Sequence, residues 1–169
     1  MIQSPRRVLA RKEHSQGERK LVVVDIENAI GGAAINERDV TRAKRTLLRA
    51  IDIGENDQIV IGMSHIGLVA VACVWDKLRY VVRSGEDGAD LALLEVLGED
   101  VARRFREVVV VSGDGIFTDA VANLGLEGVT VTVVGHRSSM SRRLALAAGE
   151  VVYLDDPSST PDVHKQEVA

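Results

Sequence analysis

The chain has 169 residues, 46% of them hydrophobic and 27% charged, which suits one soluble globular domain with a real core. No apolar run approaches the ~18 residues of a membrane helix. A single cysteine, Cys73, excludes an intrachain disulfide and argues against a cysteine-built zinc site.

Residues 1–19 read as a flexible arm. The net charge of −4 is unevenly spread: the first 20 residues carry +4 and the remainder −8. A basic arm on an acidic body suits a polyanion held near an acidic site, or a solvated terminus. No apolar stretch follows the basic residues to make a signal peptide, so the protein is expected in the cytoplasm. A folded domain is expected over 20–154 and a frayed tail over 155–169.

Residues 21–25 read as a buried strand ending in an acid. Residues 37–51 read as a helix with Val40, Ala43, Leu47, Ala50 and Ile51 on one face, Asn36 as its N-cap and Gly54 as its stop. Arg42, Lys44, Arg45 and Arg49 crowd one side of it, as a solvated face or as contacts to a nucleic-acid backbone. A strand follows at 58–63, then a helix at 66–75 in which Cys73 is expected to be a buried, inert thiol. Next come a strand at 79–83, a glycine-rich turn at 84–88, a helix at 89–104 and a strand at 107–111. A helix at 115–124, a strand at 129–134, a helix at 141–148 and a strand at 151–154 complete the pattern. The strands are continuous apolar runs, as in a parallel sheet covered by helices on both faces. The expected fold is a doubly wound three-layer α/β sandwich with right-handed connections.

Ligands of such sheets bind beyond the carboxyl ends of the strands. There the chain places Asp25, Glu27 and Asn28; Ser64 and His65; Glu86, Asp87 and Asp90; Ser112, Gly113 and Asp114, with Asp119 five residues on; and His136 and Arg137. Crowded carboxylates raise one another's pKa and persist most easily around a divalent cation. An all-oxygen donor set suits Mg²⁺ or Mn²⁺, and phosphodiester hydrolysis fits such a site. Asp87 and Asp114 equally suit helix caps. His65 and His136 suit ordinary loop positions. No GxGxxG or GxxxxGK[ST] signals a dinucleotide or P-loop site.

The segments VVVDIEN at 22–28, GADLAL at 88–93 and VVSGDGIF at 110–117, with the strand at 129–134 and its following helix, resemble NYN domains of the PIN-like nuclease superfamily. The resemblance implies a Rossmann-like PIN fold with a mostly parallel central sheet, and a metal-dependent endoribonuclease acting on RNA or a descendant of one. It places the family's acids on Asp25, Asp90 and Asp114 as metal ligands, with Asn28 and Ser112 orienting ligands or the scissile phosphate. The motif's second aspartate is Ile116 here, and Asp119 is the conjectured substitute. Ile116 gives weight to the rival reading, an RNA-binding or regulatory module without turnover. A receiver-like phosphoacceptor lacks its lysine after the fifth strand, where Gly135, His136 and Arg137 stand. A phosphatase of the haloacid-dehalogenase type would need more than Asp25-Ile26-Glu27. Scarce aromatics, at 3%, argue against base-stacking platforms. A homodimer stays open.

Overall fold

The computed structural model describes residues 19–32 and 36–154. The arm expected over 1–19, Arg19 apart, and the tail over 155–169 lie outside them. Strands β1 (Lys20–Asp25), β2 (Gln58–Met63), β3 (Arg79–Val82), β4 (Glu107–Val111), β5 (Thr130–Gly135) and β6 (Glu150–Tyr153) form one sheet in the order β3-β2-β1-β4-β5-β6. Every neighbouring pair is parallel. The sheet is therefore wholly parallel, where the sequence suggested mostly so.

Helices α1 (Ile26–Ile30), α2 (Glu37–Ala50) and α3 (Leu68–Val74) cover one face, and α4 (Gly88–Leu97), α5 (Val101–Arg104), α6 (Thr118–Leu126) and α7 (Arg142–Ala147) the other. Period-two alternation along the strands feeds both layers. Leu21, Val23, Val108 and Val110 join Leu93, Phe105, Phe117 and Leu144. Val22, Val24, Val109 and Val111 join Val40, Leu47, Val71 and Trp75.

Asn36 caps α2 as expected, accepting from Asp39 N–H at 3.0 Å. The helix expected over 89–104 is two: α4 ends at Gly98, and Asp100 takes a positive φ of 50° before α5. Glycine's low helix propensity explains the break. Short 3-10 turns at His65–Gly67 and Gly115–Phe117 lead into α3 and α6. Cys73 is exposed, not buried. On α3 the sheet-facing residue is Val71, with Trp75 four residues on, so Cys73 between them points outward.

Helix α1 was not foreseen. Asp25 caps it by accepting Asn28 N–H, and Gly31, at φ 83°, closes it in the left-handed conformation. Gly62 sets the distance between β2 and α4, because a Cβ there would lie 2.4 Å from Leu93 Cγ. Gly62→Ala should therefore destabilise the fold by roughly 1–3 kcal/mol through overpacking. Gly125 in α6 has open space around it, so Gly125→Ala should stabilise by about 1 kcal/mol through helix propensity. Urea denaturation should move the two midpoints in opposite directions; a shared direction would refute this packing argument.

Candidate functional site

The chain runs from β1 outward to β3 and then returns to β4 on the other side of β1. Strand order thus reverses between β1 and β4, and a crevice opens beyond their carboxyl ends. An open cleft of about 420 Å³ lies there, lined by Asp25, Glu27, Asp87, Asp90 and Asp114 among others.

Asp25 stands at its floor, only 6% exposed. A buried carboxylate needs partners. One oxygen accepts Asn28 N–H at 3.2 Å, and the other accepts the Ser112 hydroxyl at 3.1 Å. Burial pushes the Asp25 carboxyl above its usual range, and these two donors pull against that shift. Asn28 also ties the two strand ends together, its Oδ1 accepting Gly113 N–H at 2.9 Å. Ser112 Oγ in turn accepts Asp114 N–H at 3.2 Å.

Asp90 comes from the first turn of α4 and reaches Asp25 through a side-chain hydrogen bond. Its carboxyl is pushed up to about 7, first by burial and then by the charges of Asp25 and Asp114. The start of α4 is set close against β3, since a Cβ on Gly88 would lie 2.6 Å from the Arg83 carbonyl oxygen. Asp87 just before it is exposed at φ 53° and makes no side-chain cap bond, so it lines the cleft instead of capping.

Asp114 is exposed and does cap: its Oδ1 accepts Ile116 N–H at 2.8 Å. Its other oxygen has no partner among the described residues. Of the four acids expected to act together, Asp25, Asp90 and Asp114 meet at the cleft. Asp119 does not line it and is exposed on α6. Ile116 packs against the core beside Phe117 and Val121.

Ser112 is 1% exposed and absent from the cleft wall, and its hydroxyl holds Asp25, which fits the ligand-orienting side of its expected role and not a direct contact from the cleft. Asn28 does line the cleft while bracing the strand ends. His136 also braces, its Nε2 lying 3.2 Å from the Ala29 carbonyl oxygen, and His65 pairs with Ser84. Arg83 also lines the cleft, and no motif or spacing singled it out; its guanidinium is held by Glu95 at 2.8 Å.

The donors fit a hard cation. All are oxygens, and among the described residues no cationic side chain neutralises Asp90. Among the described residues no three acidic, histidine or cysteine side chains share the spacing of one coordination shell. Asp25, Asp90 and Asp114 are the acids of the cleft that could hold such an ion, Asp25 and Asp90 being the buried and half-buried pair among them. Mg²⁺ commonly takes one or two carboxylates and keeps its remaining waters, which this pair allows.

The raised carboxyls make the metal-free protein pH-sensitive. An acid whose folded pKa lies above its unfolded value stabilises the fold below about pH 4, and that stability is lost as pH rises through the folded value near 7. In EDTA, Asp90→Asn should therefore raise Tm at pH 8 more than at pH 5. Mg²⁺ at pH 8 should raise the parent's Tm and leave the variant's nearly unchanged. Parallel melting curves at both pH values would remove the electrostatic account of Asp90.

No curated protein matches the chain. A crystal structure of a protein of unknown function from Vibrio parahaemolyticus is similar at TM-score 0.57 and 18% identity, covering 84% of this chain and 96% of the other, which shows a shared fold. Comparison with protein families matches the NYN domain over residues 56–155. That span includes Asp90, Ser112, Asp114 and Ile116 but not Asp25 or Asn28, which join the site through the hydrogen bonds above. Since the match takes in more than half of the sequence, the chain belongs to the NYN domain family, part of the PIN-like nuclease superfamily.

Proposed function

We propose that the chain is a cytoplasmic, metal-dependent endoribonuclease that hydrolyses RNA phosphodiester bonds in the cleft beyond β1 and β4. The observation that carries this reading is the Asp25–Asp90 pair, two hydrogen-bonded acids raised in pKa at the strand-order reversal of a nuclease-family fold. A bound Mg²⁺ or Mn²⁺ supplies a water of lowered pKa and positive charge opposite a phosphoryl oxygen.

The chain's own residues do the rest. Ser112 and the Asn28 N–H fix both oxygens of Asp25, so its orientation is set before any ligand arrives. Asp90 meets it from a separate element, held by close packing of α4 on β2 and β3. Asp114 offers its uncapped oxygen at the rim. Asn28 and Gly113 lock the two loops that carry these groups.

Ile116 favours a second reading, an RNA-binding module with weakened turnover. The position that resembles the family's second aspartate carries an apolar side chain packed partly buried against the core, and Asp119 lies outside the cleft lining.

Cleavage of labelled RNA with Mg²⁺, Mn²⁺ or EDTA separates the two. The nuclease reading expects metal-dependent cleavage that Asp114→Asn abolishes without unfolding, because asparagine caps a helix as well as aspartate does. Asp119→Asn should cleave like the parent. RNA binding with no cleavage under any metal would leave the binding module. Ser112→Ala should lower metal affinity or turnover roughly 10–100-fold, as removal of an outer positioning group does, while KM for RNA holds. A raised KM at unchanged kcat would instead place Ser112 against the substrate.

A further inference from the structure

Helix α2 carries Arg38, Arg42, Arg45 and Arg49. At 3.6 residues per turn these four fall within about 60° of one another around the helix axis. The buried residues Val40, Ala43 and Leu47 occupy the opposite side, so the stripe points straight at solvent. All four arginines are exposed. Arg42 pairs with Asp39 at 2.7 Å. The guanidinium groups of Arg38, Arg45 and Arg49 meet no ion pair among the described residues. From Val40 to Ala50 the helix has no acid at all. Lys44, which the sequence grouped with these arginines, does not belong to the stripe. Its Nζ donates to the Val74 carbonyl at 2.9 Å and lies over Trp75.

We propose that this stripe is a docking track for the phosphate backbone of single-stranded RNA that leads to the acidic cleft. The proposal rests on the nuclease reading for its substrate class and adds where that substrate is held. Charge selects the partner. On a chain of net charge −4, four solvent-facing arginines in one row complement a regularly spaced polyanion. Arginine's planar fork suits phosphate oxygens in particular. Geometry selects the direction. Helix α2 begins at the sheet edge where Gly31 and Gly32 line the cleft, and runs back toward the start of β2. The row from Arg38 to Arg49 is about 16 Å long at 1.5 Å per residue, so it spans several successive phosphates. With no aromatic residue in α2, the track holds backbone rather than bases, and binding should be indifferent to sequence.

The test measures binding of a labelled, mixed-sequence single-stranded RNA in EDTA across a salt series. The comparison sets Arg45→Gln/Arg49→Gln against Arg103→Gln/Arg106→Gln, which removes the same charge from α5, on the opposite face of the sheet, and the turn that follows it. Glutamine keeps helix propensity close to arginine's, and circular dichroism checks the fold. The α2 variant should bind more weakly at low salt. Its slope of log K against log salt should be shallower by roughly 1.4, at about 0.7 for each phosphate no longer neutralised. The control should keep the parental slope. Equal weakening in both variants would overturn the track, since net charge alone would then explain binding. An unchanged α2 variant would overturn it too, yet leave metal-dependent cleavage to be judged separately. A parent that binds no RNA in EDTA would overturn the track as well, while metal-dependent cleavage would still decide the nuclease reading. Binding to phosphatidylserine vesicles that the α2 substitutions abolish, with RNA binding intact, would hand the stripe to a lipid surface and overturn the proposal.

Discussion

A carboxylate at the end of a buried strand must be satisfied, and the site is organised around how Asp25 meets that demand. Strand β1 is central in the sheet and its apolar residues face both layers, so the acid that ends it cannot retreat to solvent. Two donors answer it, one from the turn of α1 and one from the end of β4. The same turn then grips the β4 loop through Asn28 and Gly113. A Cβ on Gly113 would stand 2.6 Å from the Ser139 carbonyl oxygen, so this loop is wedged on its far side as well. The wedge leaves the β4 loop little freedom to relax, and the geometry around Asp25 is fixed by backbone as much as by side chains.

The fold was legible because its signals are additive. Each apolar run is short, each is followed by a helix-period segment, and the register of a parallel sheet needs no turn chemistry to decode. The site was legible for a different reason: strand ends in such a sheet share one edge, so Asp25 and Asp114 could be placed without knowing any contact. Asp90 came from the same logic one turn into a helix. Depth was not legible. Ser112 follows β4 in the sequence whether it faces the cleft or the interior, and only the packed structure shows the latter. Asp119 lies away from the cleft lining for a related cause. Gly115–Phe117 winds as a 3-10 turn with three residues per turn, which shifts the phase of everything after it. With Phe117, Val121 and Leu124 buried, Asp119 is left on the outside. Helix α1 was missed because five residues are too few to show a period, though Asp25 and Gly31 were its caps in plain sight.

Electrostatics divides the molecule into two parts with opposite needs. The cleft gathers acids, and Arg83, the cation on its wall, is already engaged by Glu95. A polyanion approaching it metal-free meets repulsion from the same charges that, after burial, lift Asp90 toward neutrality. Helix α2 offers the reverse. At physiological salt a charge is felt over about 8 Å. About the far half of a row about 16 Å long therefore lies outside the range of the cleft's field. Attraction along the row and repulsion at the cleft can then coexist without cancelling.

This separation bears on how RNA hydrolysis would proceed under the proposed reading. A strand captured along α2 reaches the cleft with its end or a loop, and only there does cation charge decide whether a phosphate can settle beside Asp25 and Asp90. Capture and chemistry would thus depend on different charges: fixed arginines for the first, an exchangeable ion for the second. Ile116 touches only the second. A chain with isoleucine where one cleft acid would stand keeps its capture surface whole, so binding and turnover would be free to diverge within a single fold. Under that reading the nuclease and the binding module are neighbouring states of one architecture, separated by how well the carboxylates of the cleft would hold a cation.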